Sequence, residues 1–176
     1  MKITKEIKLH MAHVVSSQVD AKGNPGKCSQ AIHGHTYFVK ATVDDKVVDD
    51  NAPNGGMVID FTDMKKAMVD VIYEPHDHAC MLWEHDPGIE PYKAFANTPG
   101  RNPAKHHITP WMPTAENICK AWALALEEEL RTKYQIKLYS LEVFETPTSS
   151  AIYVMGEDDA KIPLGQCGSG SCGCLA

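Results

Sequence analysis

The chain has 176 residues, 43% of them apolar, which fits one domain able to bury its own core. Its formal charge of −6 argues against nucleic acid and against an anionic membrane surface, since both select a basic face. A few local Lys or Arg residues would still suffice for a phosphorylated small molecule.

The opening MKITKEIKLH mixes charged and apolar residues and holds no long apolar run. Neither a signal peptide nor a membrane span is expected, and a reducing cytoplasm is the default location. In residues 2–15, Ile3, Ile7, Leu9, Met11 and His13 fall on one side, which reads as a strand. Residues 16–32 carry Asp20, Gly23, Asn24, Pro25 and Gly26, which is loop chemistry. Residues 33–44, HGHTYFVKATVD, return to β character, and 51–56 form a turn before a short extended stretch at 57–59. Asp60 caps a helix whose apolar stripe is Phe61, Met64, Met68, Val71 and Ile72, with Pro75 as its stop. Residues 81–113 hold six of the eleven prolines and read as a long ordered loop or insertion. Thr114 caps a second helix with Ile118, Trp122, Ala125, Leu126 and Leu130 on its buried face, and β runs follow at 138–146 and 150–155. The order β-β-α-α-β-β predicts an α+β domain: a four-stranded antiparallel sheet with two helices on one face. The domain spans 1–163, and 164–176 is a Gly/Ser/Cys-rich tail expected to be flexible.

Nine histidines include one sharp local pattern, His33-Gly34-His35. On a strand, residues two apart point to the same side, so both imidazoles reach one point. His13 supplies a third nitrogen if the first strand pairs with this one. Three imidazoles and an open fourth position are the layout of a catalytic Zn²⁺, whereas a structural zinc takes four protein ligands. His10 is in antiphase with His13, and the adjacent His106 and His107 point apart if extended, so these three are read as non-ligands. The bland alternative, satisfied surface or core histidines, holds for any one of them alone.

Three further groups carry acid–base potential. Cys28 precedes His33 by five residues, and a thiol near a cation and imidazoles can ionise and act as a base or a ligand. Asp77-His78 follows the first helix, and an Asp beside a His can orient the ring and support its cationic form. Glu145 lies in phase with Leu141 and Val143, where a carboxylate is costly without a partner, and such a group can hold a guanidine-like edge through two parallel hydrogen bonds. The six cysteines, Cys28, Cys80, Cys119, Cys167, Cys172 and Cys174, do not form a secreted disulfide framework.

Several segments together resemble the 6-pyruvoyl/6-carboxytetrahydropterin synthases of the tunnelling-fold group. They are LHMAH at 9–13, Cys28 followed by HGHTY, GMVIDFTDMK at 56–65, Asp77-His78, PTAEN at 113–117 and VFETPTSSAIY at 143–153. The resemblance runs in order from about residue 3 to 155. It implies that His13, His33 and His35 bind Zn²⁺, that Cys28 is the base, that Asp77 and His78 form a proton relay, and that Glu145 anchors a pterin ring. It implies a zinc lyase acting on 7,8-dihydroneopterin triphosphate. The branch favoured makes 6-carboxy-5,6,7,8-tetrahydropterin for queuosine and 7-deazaguanine synthesis, and the alternative keeps the three-carbon side chain as a 6-pyruvoyl product. It also implies a homohexamer of two stacked trimers whose sheets close into barrels, with active sites shared between subunits. Two departures bear on subtype: four residues separate Cys28 from His33, and residues 81–113 exceed what the simplest members need. Rival readings are a zinc hydrolase, against which the missing HExxH counts, and a non-catalytic zinc- and pterin-binding module.

Overall fold

The computed structural model describes residues 1–156 and 166–167. Strands β1 (Lys2–His13) and β2 (His33–Asp44) pair antiparallel along their whole length, from Lys2 opposite Asp44 to His13 opposite His33. Strict alternation drives this register. Ile7, Leu9, Met11 and His13 on β1, and Tyr37, Val39, Ala41 and Val43 on β2, are buried, while Lys8 and His10 between them are exposed. A slip of one residue would turn both apolar sets to water. Strand β5 (Leu138–Thr146) pairs with β2, and β6 (Ser149–Val154) with β5, both antiparallel. These four strands are the antiparallel sheet that the alternation predicts.

Two helical stretches cover the buried face. The longer, α5 (Ala115–Tyr134), is capped by the Thr114 hydroxyl and buries Ile118, Trp122, Leu126 and Leu130 completely. It ends at Gln135 in the left-handed conformation. The other begins as α2 (Phe61–Met68), where the Asp60 carboxylate accepts from Thr62 N at 2.6 Å. It continues through a π-helical stretch, Val69–Tyr73, into a last turn, α3 (Glu74–His76). Met64, Met68, Ile72 and His76 are buried at every fourth position. In a regular α-helix that spacing drifts by about 40° per step, and the wider π turn lets the stripe stay on the sheet. Val71 packs at the core edge, but Phe61, expected in the stripe, is 52% exposed because it sits at the first helical position, off the core side. Pro75 lies inside the last turn and the helix ends one residue after it.

The segment 81–113 is not a loop. It contains most of β3 (Ala79–Trp83), then α4 (Ile89–Ala96), a 3₁₀ turn at Pro103–Lys105 and β4 (His106–Thr109). Strand β3 runs parallel to β1, with Met11 opposite Ala79, and β4 runs parallel to β3. The two-residue strand β7 (Gln166–Cys167) is antiparallel to β4. Among the described residues the sheet is therefore mixed and seven-stranded, in the order β6-β5-β2-β1-β3-β4-β7, rather than four-stranded and antiparallel. Its prolines break helices without forbidding them: Pro91 falls in the first turn of α4 and Pro103 opens the 3₁₀ turn, both positions that need no backbone donor. A second, small core of Val14, Leu82, Ile89 and Tyr92 holds the segment down. A further short turn, α1 (Lys27–Gln30), interrupts the loop between β1 and β2. The tail expected at 164–176 lies outside the described residues except for β7.

Candidate metal centre and relay site

Pairing of His13 with His33 in the β1–β2 ladder, one step from Met11 opposite His35, brings three imidazoles to the buried end of the sheet. Their ligand nitrogens lie within 4.8 Å of one another. All three Nε2 atoms are buried and have no hydrogen-bond partner among the described residues. Leaving such atoms unpaired costs about 1–3 kcal/mol apiece, so convergence of three is the signature of a site built for something else. A cation fits. Two of the Nδ1 atoms are occupied from behind: His13 Nδ1 lies 2.7 Å from Pro113 O and His33 Nδ1 3.0 Å from Ala31 O. A carbonyl can only accept, so these two rings carry their proton on Nδ1 and turn the Nε2 lone pair to the centre. Burial, foremost, also holds His13 and His35 below the ordinary imidazole pKa, and neutral rings are what a metal requires. These three groups can hold a metal, and the donor set of imidazoles alone suits zinc.

Glu145, at the end of β5, faces the same point. One carboxylate oxygen lies 3.3 Å from His13 Nε2 and 3.9 Å from His35 Nε2. Tyr37 continues the line of His33 and His35 along β2, and its ring stands 5.8 Å from that of His35. Burial and the Glu145 carboxylate both push its phenol up, so it stays protonated. The sequence reading missed Tyr37, although its position two residues beyond His35 was the available signal. Cys28, on α1, is fixed through its backbone: its N–H donates to Gln18 Oε1 at 2.8 Å and its carbonyl accepts from Val15 N at 2.9 Å. That ties the α1 turn to the chain just after His13.

Asp77 and His78 stand elsewhere. Asp77 accepts from His10 N at 2.9 Å, and His78 N donates to His10 O at 2.7 Å, so the pair is laced to the edge of β1. His78 adopts φ 58°, a left-handed conformation costly for a side chain as large as imidazole. The result is a short His78 Nδ1 to Asp77 Oδ2 contact of 2.7 Å with the ring 79% exposed. Partial burial pushes the Asp77 carboxyl up, but hydrogen bonds from His10, His78 and Tyr73 outweigh it and hold the group below the usual range. The His78 ring lies 6.1 Å from that of His10, whose side chain faces opposite to His13 along the strand. Within one chain the imidazole triad and the Asp77–His78 pair thus occupy opposite faces of β1.

His106 and His107 divide as alternation along β4 requires. His107 is buried and stacks on His76 at 4.7 Å, while His106 points away and meets the Tyr92 hydroxyl at 2.5 Å. Neither joins the triad.

Residues 2–156 match the family model described as 6-pyruvoyl tetrahydropterin synthase. The chain belongs to that family. Two curated relatives within the pterin synthases, both named 6-carboxy-5,6,7,8-tetrahydropterin synthase, extend the match. The one from Haemophilus influenzae is 32% identical over 152 residues, covering 86% of this chain and 97% of the relative. The one from Rickettsia bellii is 32% identical over 154 residues, covering 84% and 95%. The solved 6-pyruvoyl tetrahydropterin synthase of Caenorhabditis elegans shares the fold, with a TM-score of 0.55 at 24% identity over 89% of this chain and 96% of that one. For a 6-pyruvoyl tetrahydropterin synthase family member, a lyase-type pterin synthase role and a small-molecule pterin substrate follow. Among the described residues no helix is long and apolar enough to cross a membrane.

Proposed function

We propose that this chain is a zinc-dependent lyase that converts 7,8-dihydroneopterin triphosphate to 6-carboxy-5,6,7,8-tetrahydropterin, releasing triphosphate and acetaldehyde, in the cytoplasmic route to queuosine and other 7-deazaguanines. The observation that carries it is the convergence of three buried, unpartnered Nε2 atoms. The names of the two relatives matched over most of the chain favour the 6-carboxy branch over the 6-pyruvoyl one. His13, His33 and His35 would hold the zinc, which when bound supplies Lewis acidity to the side-chain hydroxyls of the substrate.

The residues divide the remaining work. Glu145 accepts two parallel hydrogen bonds from the N3–H and 2-amino edge of the pterin, fixing the ring beside the triad. Cys28 takes and returns a proton at the carbon next to the ring. Tyr37, kept neutral by burial, fills the wall between them and excludes water. His78, steadied by Asp77, passes protons to and from the side chain of the substrate. Since the triad and the Asp77–His78 pair face opposite ways in one chain, the relay comes from a neighbouring subunit. A homo-oligomer, a hexamer of two trimers with closed barrels, satisfies that requirement and covers the open β6 edge.

Mass spectrometry of the products formed from 7,8-dihydroneopterin triphosphate tests the reading. A carboxypterin with acetaldehyde is expected. A product that keeps all three side-chain carbons would move the protein to the 6-pyruvoyl branch, and pterin bound for hours without turnover would make it a binding module.

A further inference from the structure

Beyond His78, the segment between β3 and β4 walls a second depression. His78, Cys80, Phe95, Arg101, Lys105 and His106 line it. It adjoins the depression on the His10 and Thr36 side of β1 and β2, because Ala12, His78 and Ala79 line both. In a chain of net charge −6, no carboxylate among the described residues lines this second depression. Neither Arg101 nor Lys105 forms an ion pair with any of the described residues.

The cations are nonetheless held in place. The Arg101 guanidinium lies 4.3 Å over the Phe95 ring, which fixes its plane and leaves its N–H edges for a ligand. Lys105 Nζ donates to the Glu74 carbonyl at the end of the helix that presents Asp77 and His78. His106 is braced by Tyr92. After burial, the charge of Arg101 is what depresses His106, and Lys105 acts likewise on His107. Positive groups have been gathered against their mutual repulsion with no described counter-charge, and a polyanion would relieve it.

We infer that this depression is a polyphosphate subsite, in which Arg101 and Lys105 take the triphosphate of the substrate while His78 works at the adjoining carbon chain. The identity of that substrate rests on the proposed function; the affinity for polyphosphate does not. The segment that appeared surplus in the sequence thereby acquires a role in substrate choice, favouring the triphosphate ester over the dephosphorylated pterin.

Calorimetric titration of the zinc-loaded protein with inorganic tripolyphosphate, and separately with orthophosphate, tests the inference. Tripolyphosphate is expected to bind the wild type more tightly than orthophosphate does, and Arg101→Gln and Lys105→Gln each to weaken it about tenfold, the loss of one charge-assisted contact. Arg101 is exposed and forms no ion pair among the described residues, so its variant should fold even if Lys105→Gln disturbs the Glu74 carbonyl. With 7,8-dihydroneopterin triphosphate, Arg101→Gln should raise KM with kcat nearly unchanged. Equal affinity of wild type and Arg101→Gln for tripolyphosphate, or equal affinity of the wild type for the two anions, overturns the subsite whether or not turnover is seen. Loss of tripolyphosphate binding in the variants of a protein that turns over no pterin would keep the subsite and discard the lyase.

Discussion

Acid should unfold this protein in part through His76. The ring is buried between His107, stacked at 4.7 Å, and Trp122, whose indole N–H donates to His76 Nε2 at 3.3 Å. Its Nδ1 is taken by the Ile72 carbonyl at 2.8 Å, so the neutral tautomer has both nitrogens satisfied. A second proton would have to enter at Nε2, break the Trp122 bond and place a cation in the core. Burial, with the nearby His107 and Lys105 adding to it, lowers the His76 pKa from 6.5 to about 3. A depressed imidazole pKa means that the unfolded chain takes up the proton first. The associated stability is complete above the unfolded value of 6.5 and is lost as pH falls toward 3. Between about pH 7.5 and about pH 5 the unfolded chain binds nearly one extra proton through this side chain, worth about 2 kcal/mol. Urea denaturation at the two pH values measures the loss, and His76→Gln isolates it. Glutamine can still accept from Trp122 but does not titrate, so the variant should lose about 2 kcal/mol less than the wild type across that range, whatever its stability at the upper pH. The other ionisable groups are common to both proteins and cancel in the difference. Equal pH slopes would show that His76 is not held neutral by its surroundings, and the account of the buried stack would fail.

Two other perturbations separate binding from chemistry. His33→Ala should reduce zinc, measured by elemental analysis, from about one ion per chain to well under half of that, while far-UV circular dichroism stays unchanged, since His33 sits at the rim of the sheet rather than in its core. Full metal occupancy in that variant would remove the triad from consideration. Cys28→Ala should keep its zinc and lose about 100-fold or more in turnover, the size expected for a proton-transfer group; wild-type turnover would mean that another group moves the proton.

The parts of the structure legible in the sequence are those where one physical rule acts alone. Alternation placed His13, His33 and His35 on one face because β1 and β2 are long and each buries a single side. The helix at 114–134 was readable from Thr114 and its apolar stripe. Residues 81–113 were not, because strands of four or five residues are too short to show a period, and six prolines obscure an eight-residue helix. The parallel pairing of β3 with β1 depends on contacts between distant segments that no local pattern records. Asp77 and His78 were visible as a pair, but their placement came from two backbone bonds to His10 and a left-handed residue, neither written in side-chain periodicity. Tyr37 was hidden in plain alternation, because an aromatic in phase with core residues reads as packing.

The widened turn at Val69–Tyr73 constrains how this chain can vary in length. Removing one residue there would restore an ordinary α-helix and rotate everything beyond it by about 100°. His76 would leave Trp122, and Asp77 would swing off the edge of β1. The extra residue is a spacer that sets the phase between a packed helix and the acid–base pair at its end, so single-residue deletions at this place should be far more damaging than substitutions that preserve the count.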